Sequence, residues 1–105
     1  MQDALLIFST CSDDEEAKRL ARMLVEEKLA ACVNVIRGIE SVYRWENNVE
    51  TATECLLVIK TVPERFDALS ERLQAMHSYQ VPEIIALPIV GGAEKYVGWL
   101  KEQCK

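Results

Sequence analysis

Hydrophobic positions along the chain change their period from segment to segment, and each change marks an element. Ala4 to Cys11 (ALLIFSTC) is a short apolar run closed by Ser12-Asp13-Asp14, the length and composition of a buried strand. Ser12 followed three positions on by Glu15 has the form of a capping box, which starts a helix by satisfying N–H groups that its first turn leaves free. Ala17, Leu20, Ala21, Leu24 and Val25 then recur on one helical face, opposite Lys18, Arg19, Arg22, Glu26 and Glu27. This helix buries one side and ends near Lys28-Leu29.

From Ala31 to Trp45 alternation replaces the helical period. Val33, Val35, Ile39, Ser41, Tyr43 and Trp45 stand in every second position, with a break at Arg37-Gly38 where glycine suits a bulge. That predicts one long strand. Glu46-Asn47-Asn48 predicts a turn, since asparagine tolerates positive φ, and VETATECLLVIK (49–60) returns as the second arm of a hairpin. Thr61 to Glu64 repeats the capping pattern with Pro63 in the first turn, and Phe66, Leu69, Leu73 and Met76 mark a second amphipathic helix running up to His77. Glu83 to Val90 (EIIALPIV) reads as a fourth strand, and Pro88, with no N–H to donate, places it at a sheet edge or a bulge. Gly91-Gly92 then releases the chain into a final helix with Tyr96, Trp99 and Leu100 on one face.

The order β-α-β-β-α-β plus a terminal helix is that of an α+β, ferredoxin-like split βαβ domain, with two helices covering one face of a four-stranded antiparallel sheet. Its hairpin is too long for such a domain. Strands of about 13 residues at roughly 3.3 Å each extend about 43 Å, whereas a globule of this length is only about 34 Å across. The tip therefore overhangs the core. It carries Tyr43 and Trp45, which an isolated ribbon cannot bury and whose residue types are enriched in interfaces. Another copy of the chain is expected to cover them in a closed symmetric ring.

Composition leaves this picture intact and removes alternatives. A chain of 105 residues, 50% of them hydrophobic, makes a single domain over 1–105. Twelve basic against seventeen acidic residues give a net charge of −5. The basic residues are scattered singly apart from Lys18-Arg19, so binding to nucleic-acid phosphates is disfavoured. Met1-Gln2-Asp3-Ala4 has neither the basic start nor the cleavage site of a secretory signal, and no apolar run approaches the roughly 18 residues of a membrane span. The expected location is cytoplasmic. Cys11, Cys32, Cys55 and Cys104 include no Cys-x-x-Cys pair and are expected as free thiols in a reducing compartment. Cys32 and Cys55 sit in apolar stretches as small buried hydrophobes, while Cys11, beside a helix start, is expected to be reachable with a lowered pKa.

His77 is the only histidine, at the end of the second helix where the dipole favours its protonated form. One imidazole is not a metal site. A site needs two to four ligands, and Cys11 and Glu83 are the nearest contributors, from this or another chain, to a thiolate–imidazole set suited to copper or zinc. Lys60, at a strand exit, is the candidate for holding a small anionic ligand in a cleft, against the simpler reading that it points to solvent. Glu50 and Glu54 are expected to pair with Arg44 across the hairpin. Asp13-Asp14-Glu15-Glu16 reads as helix N-terminal charge, since it lacks the spacing and central glycine of a calcium loop. There is no Gly-x-x-x-x-Gly-Lys-Ser/Thr loop, no Gly-x-Ser-x-Gly elbow and no second histidine, so a binding protein is expected rather than an enzyme.

The stretches KLAACVNVI, SVYRWENNVE, LLVIKT, MHSYQVPEIIALPI and YVGWL, in this order and spacing over nearly the whole chain, resemble the CutA family of divalent-cation tolerance proteins. The resemblance implies a ferredoxin-like fold, a tightly packed homotrimer shaped like the PII signalling proteins, and a role in tolerance of copper and other divalent cations. It implies a bound Cu²⁺ or similar ion and no defined reaction. Against the family's box His-Pro-Tyr-Glu-x-Pro-Glu, His77, Tyr79, Pro82 and Glu83 match, while Ser78 replaces proline and Gln80 replaces glutamate. Cys11 matches a cysteine common after the first strand, and Met76 stands where some relatives carry a second histidine. The expected metal ligands are thus His77, Cys11 and Glu83. The PII-like shape leaves a second function open: a trimer that binds a small anionic ligand at clefts between subunits, near Lys60, and contacts a protein partner.

Overall fold

A computed structural model describes residues 3–105. The elements are β1 (Leu5–Cys11), α1 (Asp14–Glu26), β2 (Cys32–Trp45), β3 (Asn48–Thr61), a short 3-10 turn (Pro63–Arg65), α2 (Phe66–Met76), β4 (Ile85–Pro88) and α3 (Glu94–Gln103). The strands form one sheet in the order β2-β3-β1-β4, each neighbouring pair antiparallel. This is the α+β, ferredoxin-like arrangement that the order of elements predicts.

Alternation along the strands divides the sheet into two unlike faces. Ile7 and Cys11 from β1 and Cys55, Leu57 and Ile59 from β3 are buried in one cluster with Ala17, Leu20 and Leu24 of α1 and Leu69 and Leu73 of α2. The intervening residues Leu6, Phe8, Leu56 and Val58 are only partly buried, and Ile85 and Leu87 beside them on β4 are 50% and 42% exposed. The second face is as apolar as the first and far less covered.

The ends of elements depart from expectation in instructive ways. Asp13, not Ser12, caps α1, its Oδ1 accepting the Glu16 N–H at 2.8 Å. The cap is displaced by one residue, and this phase sets Glu16 in line with the buried Leu20 and Leu24. At the other end Lys28 takes φ 59°, and the Leu29 N–H reaches Leu24 O at 2.9 Å while the Lys28 N–H reaches Val25 O at 3.0 Å. These are the two bonds of a Schellman stop. Thr61 does not cap α2: β3 runs on through it, so its hydroxyl points inward and donates to Leu29 O at 2.6 Å. The fourth strand is four residues long, not eight, and lies at the sheet edge, where Pro88 opposes Leu5. On α3 only Leu100 is buried, with Cys104 just beyond the helix, against Ala4, Ala31 and Val62. Tyr96 and Trp99 are 44% and 43% exposed, their rings 5.4 Å apart.

The hairpin follows its sequence closely. Trp45 pairs with Asn48 across a two-residue turn, in which Glu46 and Asn47 both have positive φ. The register steps from Ile36↔Leu56 to Ile39↔Glu54, so Arg37 and Gly38 (φ 71°) bulge opposite Cys55. The molecule measures 44 × 25 × 23 Å with a radius of gyration of 14.2 Å. Its long axis matches the overhang that strand length predicts.

Candidate functional site

The site lies where the end of α2 meets the end of β1. His77 leaves the helix in an extended conformation (φ −79°, ψ 145°) and turns its ring inward, leaving the side chain no solvent exposure. Nδ1 accepts the Tyr79 N–H at 3.0 Å, and Nε2 lies 2.9 Å from Thr10 O. An accepting Nδ1 places the ring proton on Nε2, which donates to the Thr10 carbonyl. Both nitrogens are occupied. Expected to face the helix dipole, the ring instead turns inward and pins α2 to β1.

Beside it Glu16, only 6% exposed, accepts four hydrogen bonds. The Ser78 N–H and Oγ lie at 2.7 and 2.8 Å, and the Ser12 N–H and Oγ at 3.2 and 3.0 Å. Burial pushes this carboxyl up, but the Ser78 and Ser12 donors outweigh it and hold it down to about 2. Ser78 is thus no passive departure from the family's box. Proline there would have neither the N–H nor the hydroxyl that Glu16 uses.

Tyr79 carries the network to β3, donating its hydroxyl to Glu54 Oε2 at 2.5 Å. Burial, then the Glu54 carboxylate, raises the phenol's pKa. The expected ion pair with Arg44 does not form: Glu54 opposes Ile39, Glu50 opposes Tyr43 and Arg44 opposes Val49. Among the described residues no ion pair joins Arg44 to either glutamate. Glu54 is buried and committed to Tyr79.

Two clefts flank this network. The larger, about 700 Å³, lies between the hairpin (Ser41, Val42, Tyr43, Trp45) and the segment Ser78 to Val81 with Glu83, floored by Thr10 and Glu54. Its lining holds two carboxylates and no lysine or arginine, unfavourable to an anionic ligand. The smaller, about 440 Å³, is lined by Ser12, Asp13, Asp14, Glu15, Gly38, Thr53, Glu54 and Cys55. Lys60 lines neither. Its Nζ donates to Asn34 Oδ1 at 2.8 Å and stands 5.9 Å from the Tyr96 ring centre.

The expected ligands His77, Cys11 and Glu83 are not presented as a set. Cys11 is fully buried in the helix-side core, and burial, then the Glu16 charge, pushes its thiol up to about 12, against the reachable, acidified thiol expected from the neighbouring helix start. With both ring nitrogens engaged, by the Tyr79 N–H and the Thr10 carbonyl, His77 offers no free lone pair, while Glu83 is exposed at the larger cleft. Met76 is 36% exposed rather than core. Among the described residues no three His, Cys, Asp or Glu side chains group to hold a metal ion, so the trio does not fit a thiolate–imidazole centre. The residues missed were Glu16, Ser78, Tyr79 and Glu54. Glu16 alone left a local signal, since it precedes Leu20 and Leu24 at four-residue steps on an otherwise apolar stripe.

Comparison with known proteins agrees with this fold. Residues 5–103 match the family model of the CutA1 divalent ion tolerance protein. The divalent-cation tolerance protein CutA of Thermus thermophilus is 47% identical over 102 residues, covering 97% of each chain. The chloroplastic protein CutA 1 of Oryza sativa is 51% identical over 102 residues, 97% of this chain but 58% of its own length, and for the chloroplastic CutA of Arabidopsis thaliana that share is 56%. The chain thus spans little more than half of these plant relatives. The crystal structure of CutA1 from Oryza sativa superposes with a TM-score of 0.96 at 50% identity, covering 99% of this chain and 95% of that one. For the Thermus thermophilus protein the values are 0.95, 44%, 97% and 99%. The chain belongs to the CutA1 family of divalent ion tolerance proteins.

Proposed function

We propose that this protein contributes to tolerance of divalent cations as a homotrimer, whose clefts, closed by the neighbouring subunit, take up copper or a similar ion through carboxylate oxygens. The uncovered apolar surface carries the reading. Val42, Tyr43, Trp45 and Val49 on the hairpin are 45% to 66% exposed, and Ile36, Ile85 and Leu87 on the open sheet face 42% to 50%. Contiguous apolar surface of this kind marks interaction sites. A hairpin laid on the next subunit is a head-to-tail contact that can close into a ring, and the family resemblance supports a ring of three.

The name of the Thermus thermophilus relative, a divalent-cation tolerance protein, supports the class of ion. The Glu83 carboxylate, exposed at the larger cleft, suits divalent cations better than Cu⁺. The reading involves no catalytic step and a cytosolic setting. Calorimetric titration of Cu²⁺, Zn²⁺ and Mn²⁺ into the wild type, Glu83→Gln and Cys11→Ala tests it. The expected outcome is a Kd raised about tenfold by Glu83→Gln and unchanged by Cys11→Ala. Binding lost in Cys11→Ala and kept in Glu83→Gln would restore the thiolate reading.

A further inference from the structure

β1 and β3 set two of the four free cysteines face to face. Cys11 opposes Cys55 in antiparallel register, and directly opposed residues have Cα atoms about 4.5–5.5 Å apart with side chains on one face. Disulfides span Cα separations of about 4.4–6.8 Å. Cys32 opposes Lys60 instead, and the Cys104 Sγ lies 3.7 Å from the Thr61 hydroxyl. No other cysteine has a cysteine across from it.

The β2 bulge gives this pair a route to solvent. Cys55 lies opposite Arg37-Gly38, where the register skips. Nothing lies within 4 Å of the place a Gly38 Cβ would take, and Gly38 and Cys55 share the wall of the smaller cleft. The Cys55 thiol donates to Asp14 Oδ1 at 3.2 Å, and the Asp14 side chain, 56% exposed, can pass a proton to water. Cys11, fully buried, sits behind Cys55 on the same face.

We infer that Cys11 and Cys55 are a redox pair, which a peroxide converts into an intramolecular disulfide, Cys55 reacting first and Cys11 resolving. Cys55 gives its proton to Asp14 and its sulfur attacks one peroxide oxygen. The O–O bond breaks, Cys55 becomes a sulfenic acid, and the departing hydroxide takes the proton as water. The Cys11 sulfur then displaces the sulfenic hydroxyl, the S–S bond forms as S–O breaks, and the hydroxyl leaves with the Cys11 proton as a second water. The two thiols lose two electrons and one peroxide is reduced. Burial raises both thiols, so the reaction is slow beside that of an exposed sensor cysteine.

The test uses the full chain carrying Cys32→Ser and Cys104→Ala, which leaves only this pair. After hydrogen peroxide and alkylation of remaining thiols, peptide mapping should find Cys11 linked to Cys55 and the intact mass lower by two hydrogens, both reversed by dithiothreitol. In Cys11→Ala, which lacks the resolving thiol, a dimedone probe should label Cys55. The inference is overturned if both cysteines remain alkylatable at peroxide doses that oxidise Cys32 in the wild type. It is equally overturned if Cys55 proceeds to a sulfinic acid while Cys11 stays free.

Discussion

Glu16 is a buried charge made stable by four donors, two each from Ser12 and Ser78. Its carboxyl is held at about 2 against an ordinary 4.5. A depressed carboxyl contributes its full stability above the ordinary value and loses it as pH falls toward the depressed one. The shift corresponds to about 3 kcal/mol. Urea unfolding of Glu16→Gln should therefore show about that loss at neutral pH and little difference from wild type near pH 2; equal losses at both would show that the charge contributes nothing. Ser78→Pro removes two donors at once and should lose about 2–3 kcal/mol at neutral pH, measured in the same way. Little of this was legible in the sequence. Any of four consecutive acidic residues could have filled the capping role, and the partner Ser78 lies 62 positions away. The His77 tautomer was hidden for the same reason, since Thr10 lies 67 positions from it.

At the scale of elements the sequence was a better guide, because period and turn chemistry are local. The alternation of Val33 to Trp45 and the bulge at Arg37-Gly38 appear where expected, while the turn expected over Glu46-Asn47-Asn48 closes on Glu46-Asn47, Asn48 already pairing with Trp45. Ends were less legible, since they depend on which side chain finds a partner across the fold. Thr61 looked like a cap and instead donates to Leu29 O. The left-handed stop of α1 at Lys28, φ 59°, was legible only as a position, not as a conformation. Glycine occupies that region without the Cβ clash, so Lys28→Gly should stabilise the fold by about 0.5–1 kcal/mol. Thermal unfolding would check this, and a lower midpoint would show that the Lys28 side chain contributes more than its backbone strain removes.

For the whole molecule, length arithmetic and family resemblance reach the same place by separate routes. Fourteen-residue strands in β2 and β3 make a 44 Å particle only 25 and 23 Å across. The overhang leaves Tyr43 and Trp45 nearly half exposed beside Val42 and Val49, each 66% exposed. The groups proposed to meet an ion were not legible to the same degree. A resemblance transfers residue identities, whereas exposure of Glu83 and burial of Cys11 depend on the packing of this chain. The proposed working unit is a trimer built on the hairpin and the open sheet face. Sedimentation equilibrium at micromolar concentration tests it most directly, with Trp45→Arg alongside the wild type. The expected wild-type mass is three times the 11.9 kDa of the chain, with Trp45→Arg folded and shifted toward smaller species; a wild-type mass of one chain would rule the trimer out.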